Sequence, residues 1–269
     1  MKKFLTLACI VSVSLLSPYC KKASQETVSI QFAVGSAKVV TPSGEKPAIA
    51  GLRVYLDDRI VTGSGSFVDL VLGTRGVIRV AENSDVALRT LTDDKGSSLQ
   101  FDMDKGKILS VMGKLSKTSS FTVKTRTTIA AIRGTAFMVV ADQYTSKVYV
   151  IKGEVLVRLA QEGTLAKRIE TILTANKKVV VSEELAKEIA AGNKNLTAEP
   201  LSPKESEEIR KEIKDIKAGE KLHQDVLKEL DEIAAAPEAK PQAEREVRRS
   251  EEKKTPPKEE QSVPSIPSL

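Results

Sequence analysis

The chain has 269 residues, a formal net charge of +6 and 41% apolar residues, enough for a sizeable core in one or two domains. Aromatics make up 4% and tryptophan is absent, which argues against a carbohydrate cleft and against a stacking platform for nucleic acid. With one histidine and two cysteines, the chain lacks the ligands of a typical zinc site, and nothing orders a catalytic triad or a Cys–His pair.

The first element is a leader. Lys2 and Lys3 precede an apolar run, Phe4 to Leu16, followed by Ser17, Pro18, Tyr19 and Cys20. This is the layout of an export signal, and its apolar core falls short of the roughly 20 residues a spanning helix needs. A cysteine directly after such a core resembles the cleavage site of a bacterial lipoprotein signal. That resemblance implies cleavage between Tyr19 and Cys20 and a covalent lipid, such as palmitate, on Cys20. Bacterial signals usually carry Ala or Gly before the cysteine; Tyr19 at that place is similar to the looser spirochaetal (leptospiral-like) type. The alternative is a secretory signal cut elsewhere. Cys9 would leave with the leader, so a mature chain would hold one cysteine and no internal disulfide.

Residues 20–27 read as a tether. From Val28 the pattern becomes brief apolar runs broken by Gly, Pro, Asn and Asp. Val28, Ile30, Phe32 and Val34 alternate with polar residues, the period of a half-buried strand. A turn cluster, TPSGEKP, follows at 41–47. Further strands are expected at Arg59–Val61, Phe67–Leu72, Gly76–Val80, Asp85–Leu91, Leu99–Met103, Lys107–Val111 and Ser120–Thr125. Ala136–Ala141, Lys147–Ile151, Glu154–Leu159, Arg168–Leu173 and Lys178–Val181 complete the series. Many short strands predict a mainly β fold over 28–181, a sandwich or roll, with an irregular β-solenoid as the alternative.

Ser182 is placed as the N-cap of a helix and Gly192 as its stop. Ser202, Pro203 and Glu205 form a capping-box signature. Beyond it Ile209, Ile213, Ile216, Leu222, Val226, Leu227, Leu230 and Ile233 line one helical stripe, weakened at Gly219, where a kink or a division into two shorter helices is expected. The stripe within 203–236 is expected to pack on the protein's own core, on a second copy, or on an envelope partner. His223 is expected on a solvated face. Residues 237–269 are Pro-, Glu- and Lys-rich and predict a disordered, charge-balanced tail. Charge is unevenly spread: residues 21–182 hold 24 Lys and Arg against 15 Asp and Glu, whereas 183–236 hold 9 against 14. A basic exported domain is drawn to anionic head groups or other envelope polyanions, unless the excess serves solubility alone.

The most specific stretch lies between Leu52 and Leu159. It includes DDRIVTGSGSFVDLVL (57–72), VIRVAENSDVALRTL (77–91) and GKILSVM (106–112). FTVKTRTTIAAIRGTAFMVVAD (121–142) and VYVIKGEVLV (148–157) follow. In order, these resemble the FecR domain, named after a periplasmic regulator of iron uptake. The telling pieces are Arg133, Gly134, Thr135 and Phe137, an RGT-x-F turn, and Gly153, Glu154 and Val155, a G-x-V hairpin. The residues themselves favour a structural role: Gly134 and Gly153 suit positive φ at chain reversals, and Arg133 is more often a bridge than a partner-binding charge. TGSGS at 62–66 lacks the Lys and helix of a phosphate loop. The acidic pairs Asp57/Asp58, Asp93/Asp94 and Asp102/Asp104 are expected to solvate turns, and Asn195 opens a sequon incidental to a bacterial lipoprotein.

Together these expectations describe a non-enzymatic lipoprotein of the cell envelope. Membrane lipid is its anchor; no cofactor, metal or nucleic acid is called for. The periplasmic face of the inner membrane is favoured over the outer membrane. The FecR resemblance also implies signalling, but classical FecR regulators place a cytoplasmic segment and a spanning helix first, where this chain places an export signal. Sensing for a separate transmembrane regulator and surface adhesion are the alternatives to binding or scaffolding.

Overall fold

A computed structural model describes residues 28–73, 75–93, 96–113, 120–132, 134–160, 169–216, 228 and 231–232. The strands begin with Val28–Val34 (β1), Ala37–Thr41 (β2), Gly44–Pro47 (β3), Arg53–Val54 (β4), Arg59–Thr62 (β5), Phe67–Leu72 (β6) and Gly76–Val80 (β7). Next come Asp85–Asp93 (β8), Gly96–Met112 (β9), Ser120–Lys124 (β10), Thr128–Ile132 (β11) and Ala136–Ala141 (β12). Thr145–Lys152 (β13), Glu154–Leu159 (β14), Glu170–Thr174 (β15), Lys177–Ser182 (β16) and Glu199–Pro200 (β17) complete them. Helices cover Glu183–Ala190 (α1) and Pro203–Lys214 (α2). The chain is mainly β, as its runs of Val, Ile and Thr predict.

The strands lie in two open sheets that share β9. The first runs β4-β1-β6-β7-β9-β12-β13-β16-β17 and the second β3-β2-β5-β8-β9-β10-β11-β14-β15. Pairing is antiparallel except between β9 and β10. Residues 96–105 of β9 pair in the second sheet and 106–112 in the first. The chain therefore alternates between layers as it advances, and the buried faces of both sheets meet in one core. Phe101 and Phe121 from the second sheet and Phe137 from the first lie at its centre, with successive ring centroids 5.5 and 6.1 Å apart. Burial of three such rings contributes on the order of 2 kcal/mol each. Ala186 and Ile189 of α1 close this core beside Val179 and Val181.

A second apolar layer covers the opposite face of the first sheet. Val71, Val77, Leu109, Val111, Met138 and Ile151 point away from the sandwich and receive Ile209, Ile213 and Ile216 from α2 and the residues after it. This explains why β7 is buried at every position and β6 at nearly all. A strand covered on both sides carries apolar residues on both faces rather than alternating, and the charged exceptions here, Asp69 and Arg79, are paired with each other.

Three local expectations change. Residues 99–103 and 107–111, expected as two strands, are parts of β9, and Gly106 between them has φ +113. The TPSGEKP cluster turns only between Thr41 and Gly44, and its second half pairs with β2 as β3. β2 and β11 are additional strands, each paired on both sides. α2 ends with Asp215 as C-cap, four residues before Gly219. Ile209, Ile213 and Ile216 are buried on the protein's own sheet, which withdraws them from self-association. Leu222, His223, Val226, Leu227, Leu230 and Ile233 lie outside the described residues, as do the leader, the tether and the 237–269 tail.

Candidate functional site: the paired crossovers

The RGT-x-F and G-x-V motifs occupy adjacent crossings between the two sheets. Gly134 and Thr135 lie between β11 in the second sheet and β12 in the first. Gly153 carries the chain back from β13 to β14. The pairs Ala136–Lys152 and Ile132–Val155 flank the two crossings on either side, which accounts for motifs 20 residues apart acting as one unit. Gly134 and Gly153 have φ +71 and +83, the left-handed region that favours glycine. A Cβ at position 153 would stand 2.6 Å from Thr135 Cγ2 and 2.9 Å from the Gly134 carbonyl oxygen.

Three side chains of the motif point inward. Thr135, Phe137 and Val155 are fully buried, Phe137 and Val155 in the core between the sheets. The Thr135 carbonyl accepts a 3.0 Å bond from the Met112 amide, which ties the turn to β9. Its Oγ1 has no hydrogen-bond partner among the described residues. Glu154 is exposed. Arg133 lies outside the described residues, as do Tyr19 and Cys20. What the arrangement does chemically is hold two crossings in register.

A matching set of close approaches lies at the other end of the sandwich. Gly106 packs on Ser84, and Gly35 on Ser66, so closely that a Cβ at either glycine would overlap the serine. Thr62 Oγ1 donates to the Ala81 carbonyl at 2.6 Å and accepts from the Ser84 amide at 3.0 Å. In the TGSGS loop the Gly65 amide donates to Glu82 Oε2 at 2.7 Å. The loop thus binds a carboxylate of its own chain.

Ion pairs account for acidic residues that the sequence assigns to turns. Arg59 bridges Asp85 at 2.6 Å and Asp104 at 2.9 Å, and Arg89 pairs with Asp57. Asp58 is buried, and its Oδ2 accepts from the Tyr55 amide at 2.8 Å. The Asp142 carboxyl lies below its usual range because the Tyr144 and Thr145 amides both donate to it in the β12–β13 turn. Sequence separation hides these pairs: 26 and 45 residues divide Arg59 from its two partners.

The α2 helix is held by charges at three levels. Lys178 donates to Glu205 at 2.6 Å, Lys107 to Glu212 at 2.6 Å, and Arg79 Nη2 to the Asp215 carbonyl at 2.9 Å. Arg79 also makes a bidentate pair with buried Asp69, at 2.6 and 2.7 Å, and stacks 4.1 Å above the Phe67 ring. The Lys178 ammonium, with help from the Ser202 amide and hydroxyl, holds the Glu205 carboxyl at about 2 against the opposing effect of burial. The Ser202–Glu205 capping box read from the sequence is present in full.

Residues 58–156 match the family model described as FecR protein. The chain carries a FecR domain. The match begins just before β5 and ends within β14, so it contains both paired crossovers and the whole of β9. Two crystal structures of a candidate anti-sigma factor from Parabacteroides distasonis ATCC 8503 are similar to this chain, at 18% identity and TM-scores of 0.39 and 0.40. The alignments cover 54% of this chain and 60% of theirs, so the chain spans about three-fifths of the length of those structures. No curated protein matches it. No helix among the described residues is long and apolar enough to cross a membrane.

Proposed function

We propose that this protein is a non-enzymatic, membrane-anchored component of the bacterial cell envelope whose FecR domain binds and scaffolds an envelope partner. The observation that carries the reading is the FecR domain at 58–156 downstream of an export-type leader ending at Tyr19–Cys20. Acylation of Cys20 supplies the anchor. One chain binds a bilayer only marginally, so stable tethering needs several chains or a basic surface besides. The buried residues of the motif hold the crossovers, which leaves recognition to the outer face of the second sheet.

A second reading follows from the same domain: sensing on behalf of a separate transmembrane regulator. Affinity purification of the full chain from cross-linked envelopes separates the two. Recovery of a structural envelope protein supports scaffolding, and recovery of a sigma-regulating membrane protein supports sensing. Enrichment of neither over a Cys20→Ala control contradicts both.

A further inference from the structure

We infer that the turn bearing Tyr55 and Leu56 is a membrane-facing finger that seats the folded body on the lipid surface; this rests on the anchor proposed above. Tyr55 and Leu56 are 63% and 52% exposed and adjacent, whereas most large apolar side chains of the described body are buried. The turn is fixed from within. The Tyr55 amide donates to Asp58 Oδ2 at 2.8 Å, the Asp58 amide donates to the Tyr55 carbonyl at 3.2 Å, and Asp57 between them has φ +70. The Asp57 amide in turn donates to the Leu88 carbonyl at 2.8 Å. Two apolar side chains are thus held outward on a pinned backbone instead of folding back onto the sheet.

Position makes the bilayer the fitting occupant. The described body begins at Val28, and its antiparallel partner is Val54. Antiparallel partners lie about 5 Å apart, so Tyr55 starts within about 9 Å of the point where the body joins its tether. Cys20 and Val28 are eight residues apart, a fully extended reach of about 29 Å at most. An acyl group on Cys20 therefore keeps this end of the sandwich within about 29 Å of the head groups, close enough for the turn to reach them. Tyr is a residue of the membrane–water interface, where its ring lies among acyl chains and its hydroxyl stays hydrated. Arg53, two residues before it, is exposed and suits the anionic surface. Tyr144, also exposed, marks the far end: it sits in the β12–β13 turn, beside the Ala141–Gly106 pair, while Val28 pairs with Leu72 at the opposite end of the first sheet.

The absence of tryptophan provides the test. Tyr55→Trp and Tyr144→Trp, each made in the full lipidated chain, give single fluorescent reporters at the two ends. Each is reconstituted into phosphatidylcholine–phosphatidylglycerol vesicles with and without brominated acyl chains, and folding is checked by circular dichroism. Insertion about 5–10 Å into the boundary predicts blue-shifted emission and roughly twofold quenching for Tyr55→Trp, with Tyr144→Trp unaffected. If the protein floats with the vesicles but the Tyr55→Trp signal is unquenched, or both reporters are quenched alike, the finger is refuted and the anchor stands. If the protein does not float with them, the anchor reading falls and the finger with it.

Discussion

The two sheets share one strand and one core yet present opposite outer faces. The first sheet turns Val71, Val77, Leu109, Val111, Met138 and Ile151 outward, and α2 covers them. The second sheet turns out charges paired on the surface, Arg59 with Asp85 and Asp104, Arg89 with Asp57, Arg158 with Glu170, beside an Ile172 that is 59% exposed. The helical segment thus belongs to the body because one sheet has an apolar outer face that water cannot cover. The other sheet needs no such roof over its described residues, because its outward side chains are largely charged and paired.

The largest effect is expected at the one residue on which both sheets depend. Gly106→Ala combines a positive φ with overlap on Ser84; left-handed strain and overpacking together should cost about 3–5 kcal/mol. A urea denaturation midpoint close to wild type would show that β9 does not bend there. Next, Ile213→Ala on the roofed side removes a fully buried side chain and should cost about 2–4 kcal/mol. A loss below about 0.5 kcal/mol would mean that α2 is not seated on the sheet.

The roof also predicts a pH response. Glu205 has an ordinary value of 4.5 and is held at about 2 in the folded chain. A carboxyl depressed on folding stabilises in full above its unfolded value, and that contribution is lost as pH falls through the folded one. Thermal stability should therefore drop between pH 4.5 and 2 more steeply in wild type than in Glu205→Gln. Parallel curves would contradict the Lys178–Glu205 clamp. The smallest effect belongs to the open sheet: Arg158→Ala breaks an exposed pair and should change stability by no more than about 0.5–1 kcal/mol.

Much of the strand layout is legible in the sequence because most strands alternate or are bounded by Gly and Asn turns. Phe67–Leu72, Gly76–Val80, Ala136–Ala141 and Glu154–Leu159 match the observed strands at both ends. β11 is not predicted as a strand because TTIAAI is short and its neighbours supply the stronger periodicity; its pairing with β10 and β14 fixes it. Gly106 looks like a break between strands when its freedom in fact lets a single strand change sheets. The roof leaves a signal in the sequence: VIRV and FVDLVL carry apolar residues on both faces, broken only by Arg79 and Asp69, which already asks for a cover on each side. The destination of α2 is not local information, since Arg79 and the Asp215 carbonyl it binds are 136 residues apart.

Metabolic labelling tests the proposed acylation of Cys20 most directly. Cells fed a clickable fatty acid should incorporate label into the wild-type protein, which should sediment with membranes, and Cys20→Ala should lose both label and membrane association. Wild-type protein that remains unlabelled and soluble, or that keeps its leader, would contradict it.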